Sequence, residues 1–382
     1  MSAGFCPFHQ NLHDTLFVVR LRSCIVLEFL TGGVLLSGLV VAGLWGTQVA
    51  QEGLGGEAQA ASDVRFVSVT RQRYEPVLPP VPTELQVPIV SPTMFLGVAD
   101  EVLLAPLRDS PITEVKFNKG GSSISMRIDF ENGARAAFKP RQTNWQSVPR
   151  REVVAFRINR LLGLGSVPPA IGRRFQVSEL LGALHPESRF FKPRLKAEMI
   201  QKDGWVTGEL SWWIPVIRRG KVDGYEIDSM EGIVSWKRYL AIGAKIPARD
   251  QALVQQISTM VLFDFIINNP DRWSGGNARV SEDQRLLYFM DNTLSFGDRP
   301  NGHPKARTYF ERCHTFSRSL VARLRTLEEG EIREVLEQDV KPFEYLLRDV
   351  EIAALLSRRD RALSYIDSLI HQHGEDLVLA FP

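Results

Sequence analysis

The sequence predicts an α+β fold in two lobes, a small β-rich N-terminal lobe with one helix and a larger helical C-terminal lobe. Three observations carry that expectation. Between Ile112 and Lys139, short stretches alternate apolar and polar residues around glycine-containing turns, the period of half-buried strands. From Pro149 the spacing becomes helical, and Gly163 and Gly165 supply the stop. A helix runs from Arg249 through Phe265, and past the apolar run Leu286–Met290 helical spacing prevails from Phe316 to about His373.

A chain of 382 residues holds one large domain, or two small ones, plus an N-terminal extension. With 44% apolar residues it can build a real core. A net charge of +2, with Lys and Arg scattered, excludes nucleic acid as the partner. Cys6, Cys24 and Cys313 lie far apart and the histidines form no paired ligand spacing, so no zinc signature is present. Only Cys313 lies beyond the N-terminal segment, which leaves the folded body without an internal disulfide.

Residues 24–46 are almost wholly apolar or small, with Glu28 their one charge, a length suited to a bilayer core of about 30 Å. Arg20 and Arg22 precede the run, whereas Glu52, Glu57 and Asp63 follow it before the next basic residue, Arg65. The positive-inside rule then puts residues 1–23 in the cytosol and the main body across the membrane, a single-pass protein with an extracytoplasmic domain in the Golgi lumen or cell envelope. The rivals are a cleaved signal peptide ending near Ala58-Gln59-Ala60, which would make the protein secreted, and a buried helix or misassigned start. Six prolines from Pro76 to Pro92 make residues 47–95 a stalk, and residues 96–382 the folded domain, which begins near Met94.

Within the domain, Ile112–Phe117 and Ile124–Phe130 read as strands joined through Gly120-Gly121, and Ala134–Lys139 as a third after the Glu131-Asn132-Gly133 turn. The helix after Pro149 carries Val153, Phe156, Ile158, Leu161 and Leu162 on its apolar face. Trp205-Val206 and Leu210–Pro215 read as strand or lobe-connecting material of low periodicity. The helix from Arg249 packs through Leu253, Ile257, Met260, Val261 and Phe265, and Pro270 forces Asn269 out of helical geometry, so Asp271 falls on a loop at a helix end. Helices fill most of the rest, with a break at Glu328-Glu329-Gly330.

Asp271 and Asp291 sit twenty residues apart, the second delivered to a turn by the strand Leu286–Met290. That is the layout of a phosphotransferase site, in which one carboxylate handles the acceptor hydroxyl and the other holds a metal. Lys139 at a strand end and Glu152, thirteen residues later on a helix, supply the nucleotide lysine and the glutamate that would ion-pair with it. Asn277 is the metal ligand from the Asp271 loop, and the amides of Gly120 and Gly121 would cover the nucleotide phosphates. Each residue has a bland alternative: an exposed Lys or Glu, an Asp in a turn, a two-glycine hairpin. Asp264, among apolar neighbours, reads as a buried structural acid bonded to the loop, and Trp212-Trp213 as core rather than cleft lining.

The segments Phe138-Lys139-Pro140-Arg141-Gln142-Thr143, Arg151–Leu162 and Val167-Pro168-Pro169, followed by Leu262-Phe263-Asp264-Phe265, Asn269-Pro270-Asp271-Arg272 and Phe289-Met290-Asp291-Asn292, resemble the secretory-pathway atypical kinases, the group containing four-jointed and the Golgi casein kinase. The resemblance implies a two-lobed protein-kinase-like fold, ATP with Mg2+ or Mn2+, and phosphorylation of a protein Ser or Thr or of a glycan. By it Lys139 matches the nucleotide lysine, Glu152 the helix glutamate, Asp271 the catalytic aspartate and Asp291 the metal aspartate. The chain departs from the family in three places. The domain has one cysteine where animal members carry several disulfides, Asn277 follows Asp271 by six residues rather than five, and Trp273 stands where the Golgi casein kinase has histidine. The shifted asparagine and the absence of a G-x-G-x-x-G signature keep open a pseudokinase that binds nucleotide or a partner without transfer, and the paired aspartates also suit a small-molecule kinase.

Overall fold

The computed structural model describes residues 93–382 except Gly275. The chain opens with a ribbon of β1 (Met94–Phe95) and β2 (Val98–Ala99), then α1 (Asp100–Arg108). Phe95, inside the range expected to be stalk, is buried against Tyr288 and Trp212. The strands β3 (Ile112–Phe117), β4 (Met126–Phe130) and β5 (Arg135–Pro140) follow. After them come α2 (Arg150–Leu161), β6 (Ala170–Gln176), α3 (Val177–Gly182), α4 (Lys192–Glu198), β7 (Gln201–Lys202) and β8 (Trp205–Trp212).

β9 (Arg218–Arg219), β10 (Lys221–Val222) and β11 (Tyr225–Glu226) lead into α5 (Met230–Tyr239) and the long α6 (Ala248–Ile267). A hairpin of β12 (Ala278–Val280) and β13 (Leu287–Phe289) precedes α7 (Pro304–Phe310), α8 (Arg318–Thr326), α9 (Glu329–Glu337), α10 (Asp349–His373) and α11 (Glu375–Val378).

The N-terminal lobe is an antiparallel sheet in the order β3-β4-β5-β8-β6, with β7 on β8. Alternate residues of β4 and β5 are buried, which is why the sequence pattern located them: Met126, Ile128 and Phe130 face the core beside Ala136 and Phe138. Gly208 lets β8 close on β5, since a Cβ there would lie 2.4 Å from the Lys139 carbonyl oxygen. That contact sets Lys139 opposite Glu209 in the ladder.

α2 crosses this sheet with Val153, Val154, Ala155, Phe156 and Ile158 all buried. The expectation of one helix in the N-terminal lobe is corrected, because α1, α3 and α4 also pack there through Leu104, Leu107, Leu180 and Leu195. These helices are short, and α1 contains Pro106, so their periodicity is weak and burial decides them.

The helical portion is built on α6, whose residues from Met260 to Ile267 are buried, with α10 packed against it. Its end is set by Asn268 in the left-handed conformation (φ 59°), one residue before the Asn269 that precedes Pro270. Cys313 is buried and free.

The expected single-pass membrane placement is corrected. Among the described residues, no helix is long and apolar enough to cross a membrane. The segment 24–46 and the stalk up to residue 92 lie outside the described residues.

Candidate functional site

The four charged residues singled out from sequence come from four elements. Lys139 stands near the end of β5, Glu152 in the first turn of α2, Asp271 on the loop after α6, and Asp291 two residues past β13. A cavity of about 400 Å3 is lined by Lys139, Glu152, Asn277 and Asp291 together with Gly120 and Glu209. Asp271 is joined to it through Asn277, whose Nδ2 donates to Asp271 Oδ2 at 3.2 Å. Gly121 is not among the lining residues, and the Gly120 N–H donates to the Asn118 carbonyl at 3.0 Å.

Lys139 Nζ meets Asp291 Oδ1 at 2.5 Å, with the lysine side chain 12% exposed. The expected Lys139–Glu152 ion pair is replaced by this one. Glu152 instead accepts from the Asn292 N–H at 2.6 Å and the Asn292 side-chain amide at 2.8 Å, and acts on Lys139 through its charge alone. Burial opposes the charge of Lys139, but attraction by Asp291, Glu152 and Glu209 outweighs it and raises its pKa. Burial likewise works against the Asp291 carboxylate, and Lys139 overcomes it, so the Asp291 pKa falls. Asp271, half-buried and repelled by Asp291, has a raised pKa.

Asp291 holds a left-handed backbone (φ 55°), uncommon for a non-glycine residue and found where surrounding contacts over-determine it. Those contacts are the Lys139 pair and the Thr293 hydroxyl, which donates to Asp291 Oδ1 at 2.9 Å. Behind it lies a buried support. Arg272, fully buried, pairs with Asp264 at 3.0 Å and donates to Asn292 Oδ1 at 2.7 Å, so Asp264 is bonded to the loop as its sequence context indicated. Trp273 stacks on Trp236 and Tyr309 at centroid distances of 5.2 and 4.8 Å.

Sequence reasoning passed over Glu209 and Arg279. Glu209 is 1% exposed; burial, then repulsion by Glu152, pushes its pKa well up. Arg279 lines the cavity beside Gly276, two residues beyond Asn277. Trp212 and Trp213, weighed as core or cleft lining, both line the cavity where the chain leaves β8, with Trp212 also packed against the core, and Ile214, Ile217 and Met290 form an apolar end. Alternation along β8 was the available signal for Glu209, since it shares a face with Ser211.

The residues present fit a divalent cation. Asp291 Oδ2 and Asn277 Oδ1 have no hydrogen-bond partner among the described residues, and both are hard oxygen donors on one cavity. No group of three His, Cys, Asp or Glu side chains suited to a metal occurs among the described residues. A metal bound here would share its ligation with phosphate oxygens, as Mg2+ does at nucleotide sites.

No family model matches the chain. Among curated proteins it is similar to the extracellular serine/threonine protein kinase FAM20C of Homo sapiens, with 21% identity over 276 residues, 62% of this chain and 47% of that one. It is also 24% identical over 308 residues to the pseudokinase FAM20A of Mus musculus, 68% of this chain and 56% of that one. The human glycosaminoglycan xylosylkinase matches at 23% over 304 residues, 68% and 72% of the two chains. The chain thus spans about half the length of the first two relatives.

Among solved structures, the Golgi casein kinase superposes with a TM-score of 0.59 at 18% identity, covering 73% of this chain and 77% of that one. The same kinase with Mn/ADP bound gives 0.60 at 17% identity, covering 75% and 80%. The hydra Fam20 with sugar gives 0.56 at 16% identity, covering 76% and 96%. The fold is therefore kinase-like, and the chain is similar in sequence to FAM20C and the xylosylkinase and in fold to the Golgi casein kinase and hydra Fam20.

Proposed function

We propose that the chain is an ATP-dependent kinase that transfers the γ-phosphate to a hydroxyl of a secreted or surface protein, on Ser or Thr, or of a glycan. The observation that carries this reading is the 2.5 Å Lys139–Asp291 pair at the wall of a cavity that Asn277 also lines, with Asp271 hydrogen-bonded to that asparagine. The cleft lies where the β-rich lobe meets the helical lobe, and its apolar end of Trp212, Trp213, Ile214 and Met290 suits a nucleobase. Lys139 binds phosphate oxygens and Glu152 fixes the Asp291–Asn292 turn. Asp271 orients the acceptor hydroxyl and takes its proton, a task its raised pKa suits. Mg2+ or Mn2+, held by Asp291 and Asn277, would neutralise charge on the phosphates.

The names of two relatives, a protein kinase and a xylosylkinase, support a protein or glycan acceptor. A second reading, a nucleotide-binding pseudokinase, is favoured by the engaged Gly120 N–H and by the similarity to FAM20A. One experiment separates them. The full chain is incubated with labelled ATP, Mg2+ or Mn2+, and panels of protein, peptide and glycan acceptors. Metal-dependent transfer that Asp291→Ala abolishes supports the kinase; metal-independent nucleotide binding without transfer to any acceptor supports the pseudokinase.

A further inference from the structure

Phosphoryl transfer spreads negative charge over the migrating group, so cations are needed where it meets the acceptor as well as where it leaves the nucleotide. Two of the cations described above are engaged elsewhere, and Arg279 lines the cavity beside Gly276. Lys139 is held on Asp291, and Arg272 is buried against Asp264. Beside Asp271, one cation arrives from further along the chain. Lys305, half-buried in the first turn of α7, places its Nζ 2.5 Å from Ser274 Oγ, and Ser274 sits against Asp271, its N–H donating to the Asp271 carbonyl at 3.0 Å and its hydroxyl lowering the pKa of the carboxylate. Among the described residues, Lys305 forms no ion pair with a carboxylate, and a serine hydroxyl is a weak partner for an ammonium.

The placement is built into the fold. The His303 N–H donates to Asn268 Oδ1 at 2.5 Å, and the Lys305 N–H donates to His303 Nδ1 at 3.1 Å. Asn268 is the residue that ends α6 and turns the chain toward Asp271. One residue therefore fixes both starting points, its backbone that of the loop that holds Asp271 and its side chain that of the helix that holds Lys305.

The geometry points to Lys305 as a catalytic cation on the acceptor side, its ammonium exchanging Ser274 Oγ for an oxygen of the phosphoryl group in transfer. This inference rests on the kinase reading. In the step, a bond forms between the acceptor oxygen and the γ-phosphorus while the bond from phosphorus to the bridging oxygen breaks. The electron pair of the broken bond leaves on ADP, and the acceptor proton passes to Asp271. Lys305 keeps its protons throughout and offsets charge on the moving group, while Ser274 holds the ammonium in place when no phosphate is there.

The test compares wild type, Lys305→Met and Lys305→Arg as full chains, measuring transfer kinetics, ADP affinity by calorimetry and thermal melting. Lys305→Met is expected to lower kcat about a hundredfold, the cost of one preorganised charge contact. ADP affinity, acceptor KM and melting should stay near wild type, because ADP lacks the group that Lys305 touches. Lys305→Arg should recover part of the loss.

Unchanged kcat in a folded Lys305→Met protein overturns the inference, as does a loss confined to acceptor KM. A wild-type chain that transfers no phosphate at all sinks the kinase reading and this inference with it. Active wild type with an indifferent Lys305→Met sinks this inference alone.

Discussion

Asn292 grips Glu152 with two hydrogen bonds, one from its backbone N–H at 2.6 Å and one from its side-chain amide at 2.8 Å. The same side chain accepts from Arg272 at 2.7 Å and from Asn269 at 3.2 Å, and it is fully buried. A single amide thus joins α2, the loop of Asp271 and the turn of Asp291. Asn292→Ala strips a buried carboxylate and a buried guanidinium of one partner each, which should cost about 3 kcal/mol of stability. Urea unfolding measures it, and an unchanged midpoint and slope would show that the three elements are held by other contacts.

Lys139 and Asp291 each neutralise a charge that the other would leave uncompensated. Removing either is expected to lower transfer activity by about a hundredfold or more. Their effects should not multiply, since residues acting as one unit are non-additive. Lys139→Met with Asp291→Asn should therefore be little worse than the poorer single variant. Independent, multiplicative losses in kcat/KM would show that the pair is incidental.

Glu209 faces Lys139 across the β5–β8 ladder, and burial followed by repulsion from Glu152 sets its pKa well above the usual 4.5. A carboxyl whose folded pKa is raised binds its proton on folding, so its contribution to stability is complete below the unfolded pKa. That contribution is lost as pH rises through the folded value. Glu209→Gln imitates the protonated form. Its unfolding free energy should decline less than that of wild type as pH is raised from about 5 to about 9. Parallel pH profiles for the two proteins would remove Glu209 as the source of the dependence.

Local pattern made much of the fold legible. β3 falls on the Ile112–Phe117 alternation, and the helix expected from Pro149 is α2. Lys139, Glu152 and Asp291 share one cavity because each stands at an element end that turn and helix signals could locate. What pattern did not reveal depends on partners remote in sequence. Nothing local to Glu152 says that Asn292, 140 residues on, will bind it in place of Lys139. Lys305 follows Gly302-His303-Pro304 in the sequence, and its neighbour Ser274 is supplied by another loop. α1 contains a proline, so the burial of Leu104 and Leu107 rather than propensity makes it a helix.

Glu351 ties the start of α2 to the start of α10. Its side chain is fully buried and lies 3.1 Å from Arg150 and 2.9 Å from Arg151, and it accepts from the Arg348 N–H at 2.9 Å. Burial opposes its charge, but the Arg348 N–H and the Arg150 guanidinium prevail and push its pKa down from 4.5 to about 2. With the folded value below the unfolded one, the stabilisation is present above the unfolded pKa and is lost as pH falls toward the folded value. A shift of that size corresponds to about 3 kcal/mol at neutral pH. Wild-type stability should therefore drop between pH 4.5 and about 2, the window these values define. Glu351→Gln should start from a lower stability at neutral pH and lose less across the same window, because it has no proton to take up there. Urea midpoints measured through that range decide it: equal acid slopes in the two proteins would mean that other carboxylates carry the acid sensitivity of the junction between α2 and α10.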